Sequence, residues 1–457
     1  MTQQATQEAR YVAAFEAAAH NGAAHDPGWL RELRSEAMAE FTHAGFPAGR
    51  RGNEAWKYTD VRELASTAFA DPDGAEQPGE LDLSPYELPC PRVHQLVFVD
   101  GRYAPQLSTD PPSEGERASH VFFERRGGPV VGRLAEAAHY GVPLVREHLG
   151  KHAHASGAFA SLNTAFLHDG AFVSIPDGVT VPEPIYLLFI STGRPEPTVP
   201  TVTYPRVLIV AGRDSTATVL QSFESLGDGA YFTDAVTEVV AGPGARLRCF
   251  TLQRESAAAY HVSTTQVVQA RDSSVSSVRV DLGGGLVRND LRVLLAEPGA
   301  SASLGGLYLG LGKRHVDNHT FVDHAVPGAS SDEVYKGILD DDSRGVFVGH
   351  VLVRPGAQHT VAHQVNKNLL LSDAAEADTQ PKLEIFADDV TCTHGAAVGQ
   401  LDERALFYLK SRGIAAPAAR NLLVHGFVRE VIDSIADDAV RQYTDDAVMA
   451  ALGAAYV

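Results

Sequence analysis

"AEPGASA" (residues 296–302) returns almost unchanged as "AVPGASS" (325–331), and the spacing between the two decides the fold. Each is a Pro-Gly turn set among short apolar, β-branched runs. Working outward, related turns occur as "AGRDSTA" at 211, "AGPGARL" at 241, "ARDSSVS" at 270, "VRPGAQH" at 353 and "ADDVTCT" at 387. Successive starts are 30, 29, 26, 29, 28 and 34 residues apart, the last stretched by the polar insertion "SDAAEADTQ". A unit of this length cannot bury its apolar face alone and must stack on its neighbours, as in a solenoid. The units hold alternating stretches such as "TVLQSF", "VTEVV", "VSSVRV" and "HTFVDH" with no helical stretch between them. A parallel β-helix of about seven units is therefore predicted. A β-sandwich of hairpins would instead turn every ~8–12 residues without long-range similarity among its turns. The period is compatible with one coil or with two shorter ones.

Composition narrows the function. The 457 residues are 44% hydrophobic, enough for a substantial core, and a formal charge of −19 repels phosphate backbones, so nucleic acid is a poor partner. The first twenty residues lack a basic-then-apolar signal, and apolar runs fall short of the ~20 residues a membrane helix needs, so a cytoplasmic protein off the membrane is expected. Three cysteines, at 90, 249 and 392, have no C-x-x-C spacing and encode neither a disulfide framework nor a self-contained metal ligand set.

Both flanks read differently from the repeat. Residues 1–70 read as a helical region, with Tyr11, Ala14, Phe15 and Ala18 on one face and Leu30, Leu33, Ala37 and Phe41 on another. Residues 71–168 combine a Pro/Gly/acid-rich linker, a hairpin around Asp100-Gly101 in "VHQLVFVDGRYAP", and helices over 131–167. Together they make an amino-terminal α/β region ahead of a mainly β core over 169–401. A carboxy-terminal helical region over 402–457 follows, with Asp402 as a cap, Pro417 opening a second helix, and Leu423, Phe427, Val431 and Ile435 on one face. A β-helix needs its open ends covered, so these helices are candidates for an end cap or for docking a partner.

Most apparent catalytic motifs fail on inspection. "GGLYLGLGKR" (305–314) has five residues between Gly306 and Gly312 where a phosphate loop has four, and Arg314 where Ser or Thr would hold magnesium. "GGG" at 283–285 opens no helix, and the chain contains no G-x-S-x-G elbow. No catalytic residue is assigned, and a non-enzymatic role is expected. His315, His319, His324, His350, His359 and His363 crowd the repeat, but strand alternation sets His324 opposite His315 and His319. They are taken as structural or surface residues, with rung-to-rung ladders as the alternative to a metal cage. Asp340 to Asp342 form an acidic turn that a β-helix carbohydrate enzyme would use. Cys392 and His394 stand apart: on an extended strand a C-x-H pair points both side chains to one face, about 6–7 Å apart, close enough to share one soft metal or cluster. Two ligands do not hold a cluster, and an ordinary part-buried thiol is the competing reading. Cys90 and Cys249 are assigned to packing or surface.

"PKLEIFADDVTCTHGAAVGQLDERALFYLKSRGI" and "GVFVGHVLVRPGAQHTVAHQVNKNLLLSDAAEADTQ" resemble the SufB/SufD family of iron-sulfur cluster scaffold proteins, over roughly residues 170–435. "NEAWKYTDVRELA" (53–65) is similar to the start of its SufD branch, and the extra cysteines common in SufB are missing. The resemblance implies a right-handed parallel β-helix that pairs with a SufB-like protein. It also implies a SufC-like ATPase docked through the carboxy-terminal helices, with Arg404, Tyr408, Arg412, Leu423, Phe427 and Val431 as partner-binding candidates. A nascent Fe-S cluster would form transiently at the subunit interface, with His394 and Cys392 as candidate ligands completed by the partner. Reduced flavin is implied for the complex with no contact assigned, nucleotide is assigned to another chain, and a homodimer of the isolated chain stays open. A SufB-like scaffold, a β-helix carbohydrate enzyme acting through Asp340–Asp342, and a purely structural solenoid are the alternatives.

Overall fold

The computed structural model describes residues 3–21, 26–47, 53–70, 81–109, 128–153, 157–193 and 199–456. Its first helices are α1 (Gln3–Asn21), α2 (Gly28–Ala44) and α3 (Arg62–Ser66). Strands β1 (His94–Val99), β2 (Arg102–Tyr103) and β3 (Val130–Arg133) precede α4 (Leu134–His139), α5 (Pro143–His148) and α6 (Ala158–Ala165). The repeat then runs through β4 (Ala171–Ile175), β5 (Ile185–Ser191), β6 (Thr201–Thr203), β7 (Arg206–Ala211), β8 (Thr216–Ser225), β9 (Tyr231–Ala241), β10 (Arg246–Arg254) and β11 (Tyr260–Gln269). It continues with β12 (Ser274–Asp281), β13 (Leu286–Leu295), β14 (Ser301–Gly310), β15 (His315–His324), β16 (Ser330–Leu339), β17 (Arg344–Val353), β18 (Val361–Leu370), β19 (Glu376–Ile385) and β20 (Thr391–Gln400). Helices α7 (Glu403–Ser411), α8 (Ala416–Ile432) and α9 (Asp438–Tyr456) close the chain.

Two sheets form a β-solenoid. One has the order β2-β1-β5-β8-β10-β12-β14-β16-β18-β20, the other β19-β17-β15-β13-β11-β9-β7-β4-β3. Pairing within the repeat is parallel, as in β11 on β13 and β18 on β20. The sequence period is one coil made of two strands, and seven such coils run from β7–β8 to β19–β20. Each recurring turn joins the end of an odd strand to the next even strand. The reason for its residue types is backbone geometry: Asp214, Gly244, Asp272, Gly299, Gly328 and Gly356 all adopt positive φ, between 53° and 82°. Gly takes that conformation without strain and Asp tolerates it. Pro fits the position before Gly in a type II turn, which explains the repeated Pro-Gly. Turns on successive coils are tied together, with Asp214 N–H donating to Pro243 O and Gly244 N–H to Arg271 O.

The lumen holds the main apolar core, built from alternate residues such as Val219, Leu247, Val275, Val293, Val322, Phe347 and Val351. Aromatic rings need room there. A Cβ at Gly306 would lie 2.1 Å from the Tyr335 ring, so that strand glycine makes space for an aromatic and serves no phosphate. The predicted hairpin is present: Asp100 and Gly101 both have positive φ, as a two-residue turn requires, and β1 lies parallel on β5. Residues 71–80 of the predicted linker lie outside the described residues.

Helices cover the outer faces of the sheets. Tyr11, Phe41, Phe46, Phe159 and Phe166 pack with Phe232 and Val262 on one sheet. Across the molecule, Val424, Val428, Val431, Ile435, Tyr443 and Leu452 pack on Leu220, Phe250, Val278, Leu307 and Ile338 of the other. The carboxy-terminal helices therefore do not cap the end of the solenoid. They lie along its side, because the sheet of β5 and the even-numbered strands is apolar on its outer face as well, and a strand buried on both faces reads as a continuous apolar run, as "IYLLFIS" of β5 does. Asp402 caps α7 as expected, accepting from Arg404 N–H.

Candidate functional site at the open end of the solenoid

Strands β19 and β20 end their sheets, and no described element pairs with their far edges. The consequence shows in exposure: most β20 residues are exposed, whereas in β18 beneath it every residue but Val361 is partly or fully buried. An unpaired edge is a template for another chain. Large apolar side chains stand in solvent along this end, with Phe386 60%, Val398 47% and Ile385 40% exposed.

Register fixes where the C-x-H pair points. Cys392 sits opposite Ala362 and His394 opposite Gln364, and both of those partners are fully buried. Cys392 and His394 thus share the lumen-facing side of the last rung, as the sequence spacing predicts. Cys392 packs against the lumen core and is partly buried, while His394, with no rung above it, is exposed. Burial pushes the Cys392 thiol up, partly offset by a backbone hydrogen bond from Ala362. Such a thiol is a poor nucleophile by itself and becomes a ligand when a cation lowers its pKa. Nearby polar groups on this rung are engaged on the outer side, His363 Nδ1 lying 2.8 Å from Thr393 Oγ1.

The remaining histidines form neither a ladder nor a cage. The residues opposite His315, His319 and His350 on the next rung are Arg344, Val348 and Lys382. His315 Nε2 meets Thr59 Oγ1 at 2.8 Å, inside the "WKYT" segment, and His319 lies 3.0 Å from Asp317. Burial would raise Asp317, but the Arg288 guanidinium and the neighbouring histidines hold its carboxyl far below the usual range. His324 faces the lumen, its Nε2 2.9 Å from Ser331 Oγ, and burial pushes it down to about 4. His359 pairs with Asp389 and His350 with Glu384. Asp340 and Asp341 shape the corner after β16, where Asp341 accepts from Gly312 N–H and Asp340 faces Arg420. Among the described residues, no group of three or more His, Cys, Asp or Glu side chains is arranged to hold a metal ion. Cys249 lines a polar lumen cavity with Ser277, Arg279, Asn289 and Asn318, and enclosure raises its pKa to about 12; Cys90 is partly buried against the apolar cluster on the outer face of the other sheet.

Partner-binding candidates divide by exposure. Arg404, Tyr408 and Arg412 lie on the open face of α7, with Arg412 5.2 Å over the Tyr408 ring and Phe407 73% exposed beside them. Leu423 and Phe427 are half-buried, and Lys336 of β16 sits 4.7 Å over the Phe427 ring while pairing with Glu430. Val431 is 1% exposed and belongs to the core, so no partner can reach it. The buried stripe of α8 is Ala419, Val424, Val428, Val431 and Ile432, so Val424 and Val428 stand where Leu423 and Phe427 were predicted, while Val431 is shared by both faces and Ile435 is buried just beyond the helix.

Two residues below the open rung escaped the sequence reading. Glu333 and Gln364 face the lumen at 1% and 0% exposure, on the same register position as His394, and Gln364 Nε2 donates to Glu333 Oε2 at 2.6 Å. Burial pushes the Glu333 carboxyl up to about 7, against hydrogen bonds from Thr320 and Gln364 that pull it down. A carboxyl whose folded pKa lies above its unfolded value stabilises less as pH rises through that interval. Glu333→Gln should therefore gain about 2 kcal/mol of stability relative to the parent between about pH 5 and about pH 8, read by denaturant unfolding at each pH. An equal difference at both pH values would show that the carboxyl titrates normally.

The family model described as "SUF system FeS cluster assembly, SufBD core domain" matches residues 190–427, more than half the chain. The chain belongs to the SufBD family of iron-sulfur cluster assembly proteins. The SufBD protein N-terminal region model matches residues 5–76 and 118–187 of the same chain. A Synechocystis iron-sulfur cluster assembly SufBD family protein is 32% identical over 394 residues, 84% of this chain and 83% of its own length. Escherichia coli iron-sulfur cluster assembly protein SufD is 29% identical over 89% of each chain. Arabidopsis chloroplastic protein ABCI7 is 34% identical over 90% of this chain and 84% of its own. In this SufBD family member the core match spans the seven coils, the open rung and α7. Among the described residues no helix is long and apolar enough to cross a membrane.

Proposed function

We propose that this SufBD protein is the SufD-type subunit of a cluster assembly complex, paired with a SufB-like protein through the open end of its solenoid. The observation that carries the reading is the unpaired last rung, which bears a thiol and an imidazole on one face beside exposed apolar residues. Edge pairing supplies main-chain hydrogen bonds, and alternate side chains supply specificity. A protein-bound Fe-S cluster takes about four ligands, commonly thiolates with histidine as a variant. Two donors from this chain leave the set half filled, and a facing subunit completes it. The cluster is cargo: it forms at the joint and leaves. His394 contributes a ring nitrogen and Cys392 its sulfur once neighbouring positive charge favours the thiolate. The chain has no catalytic centre of its own in this reading, and reduced flavin, if the complex uses it, is given no residue here. The location is read as cytoplasmic.

ATP enters through another chain. The exposed face of α7, with Arg404, Phe407, Tyr408 and Arg412, joined to α8 and through Lys336–Glu430 to β16, suits a SufC-like ATPase subunit. Movement of that subunit would be felt at the solenoid wall next to the open rung. Reversing both charges, Arg404→Glu with Arg412→Glu, should weaken its binding on the order of tenfold, measured by titration calorimetry. Unchanged affinity would place the docking surface elsewhere. Co-purification of the tagged chain with untagged SufB-like and SufC-like partners, followed by iron and sulfide analysis, tests the whole assignment. A chain that recovers neither partner contradicts it.

A further inference from the structure

Below the open rung the lumen presents a column of polar side chains. Glu333 of β16, Gln364 of β18 and His394 of β20 occupy one register position on three successive rungs. Adjacent rungs in such a sheet lie about 4.8 Å apart, so each side chain reaches the next. Glu333 and Gln364 are already joined by the 2.6 Å bond from Gln364 Nε2. Gln364 Oε1, in contrast, is buried and accepts no hydrogen bond. A buried acceptor left empty is costly and uncommon in a native protein. Gly349 faces the amide from the opposite sheet, where a Cβ would lie 2.2 Å from Gln364 Nε2.

Resting on the cluster reading above, we infer that Gln364 is a positioning residue for His394: its free Oε1 accepts the ring N–H of His394 when the partner subunit closes the lumen, fixing which ring nitrogen faces the cluster. The chemistry is that of an outer shell. A ligating histidine commonly donates its second N–H to a carbonyl or carboxylate, which sets tautomer and ring angle. Glu333 orients the amide. Its Oε2 accepts from Gln364 Nε2, which turns the amide NH2 inward and leaves Oε1 as the side chain's free acceptor. The titratable groups around Glu333 do not compete for that bond. Asp332 on its own strand is exposed, His324 of β15 is engaged with Ser331, Tyr308 is bonded to Asn368, Tyr335 lies two residues along β16, and Arg279 of β12 is held by Asp281. Cys392 stands over Ala362, one column away.

The test uses the assembled complex with its SufB-like and SufC-like partners. Histidine-selective ¹⁵N spectra of the parent complex should show His394 as a single neutral tautomer. Gln364→Met, similar in volume but without an acceptor, should give an averaged ring signal and about tenfold less iron and sulfide per complex, with subunit assembly retained. Gln364→Glu keeps an outward oxygen by sharing one proton with Glu333 and should restore most of the cluster content. An averaged tautomer signal in the parent, or Gln364→Met with parental spectra and cluster content, overturns the inference. If His394→Ala itself has normal cluster content, the cluster reading falls. If His394→Ala is defective while Gln364→Met is normal, only the positioning role falls.

Discussion

His394→Ala is expected to lower the iron and sulfide content of the reconstituted complex by about tenfold or more while leaving subunit assembly intact. Loss of an outer-shell partner already costs about 10–100-fold in metal affinity, and loss of a direct ligand costs no less. The separation of the two effects follows from position. His394 is exposed on an edge strand, supports no packing, and is opposed across the sheet only by Gln364, so the substitution creates no cavity and breaks no ion pair. In the proposed pairing the contact would be carried by the backbone edge of β20 and by the exposed Ile385, Phe386 and Val398. Cys392→Ala tests the second donor in the same assay. A parental cluster content in the His394 variant would remove the imidazole from the ligand set.

Arg206→Ala is expected to cost about 3–5 kcal/mol of unfolding free energy, far more than any surface change. Arg206 and Glu238 are both fully buried and meet at 2.5 Å beneath the amino-terminal helices. The guanidinium also donates to Asn163 Oδ1 and Thr164 Oγ1 of α6. Glu238 in turn accepts from the backbone N–H groups of Gly150, His152 and Ala153. Burial would raise Glu238, yet Arg206 and these N–H groups hold its carboxyl below its usual range. One ion pair thus pins the loop after α5 and the helix α6 to β7 and β9. Removing the arginine leaves a charge in a water-free site, whereas the double change Arg206→Met with Glu238→Met removes both charges and should be markedly less destabilising. Denaturant unfolding of the single and double variants reads the difference. A single variant within about 1 kcal/mol of the parent would show that water reaches Glu238.

The turns were the legible part of the fold, because a backbone forced to positive φ at Asp214, Gly244, Asp272, Gly299, Gly328 and Gly356 admits few residue types and so leaves a periodic trace. One coil or two per period was not legible, since the two strands of a coil carry similar β-branched runs and the second corner has no constant residue. The side of α8 that is buried was ambiguous for a related reason. Apolar residues surround that helix, Leu422 being 52% exposed while Val424 is fully buried, so periodicity alone placed the face one residue off. The placement of the carboxy-terminal helices followed from apolar outer faces on the even-numbered strands, a feature of the sheet and not of the helices.

At the site, the C-x-H spacing made the shared face of Cys392 and His394 readable. Glu333 and Gln364 were hidden because "SDEVYK" and "AHQVNK" carry polar side chains on both faces. Asp332 and His363 point outward while Glu333 and Gln364 point into the lumen, so alternation of polarity vanishes where the interior itself is polar.

Hydrogen exchange of the β20 amides with and without a SufB-like partner tests most directly whether the open rung is the joint. The alternate amides of residues 391–400 that face away from β18 should exchange at least about tenfold more slowly in the complex, as they acquire partners. Exchange at that rung unchanged by a bound partner, with protection appearing on another surface, would contradict the account.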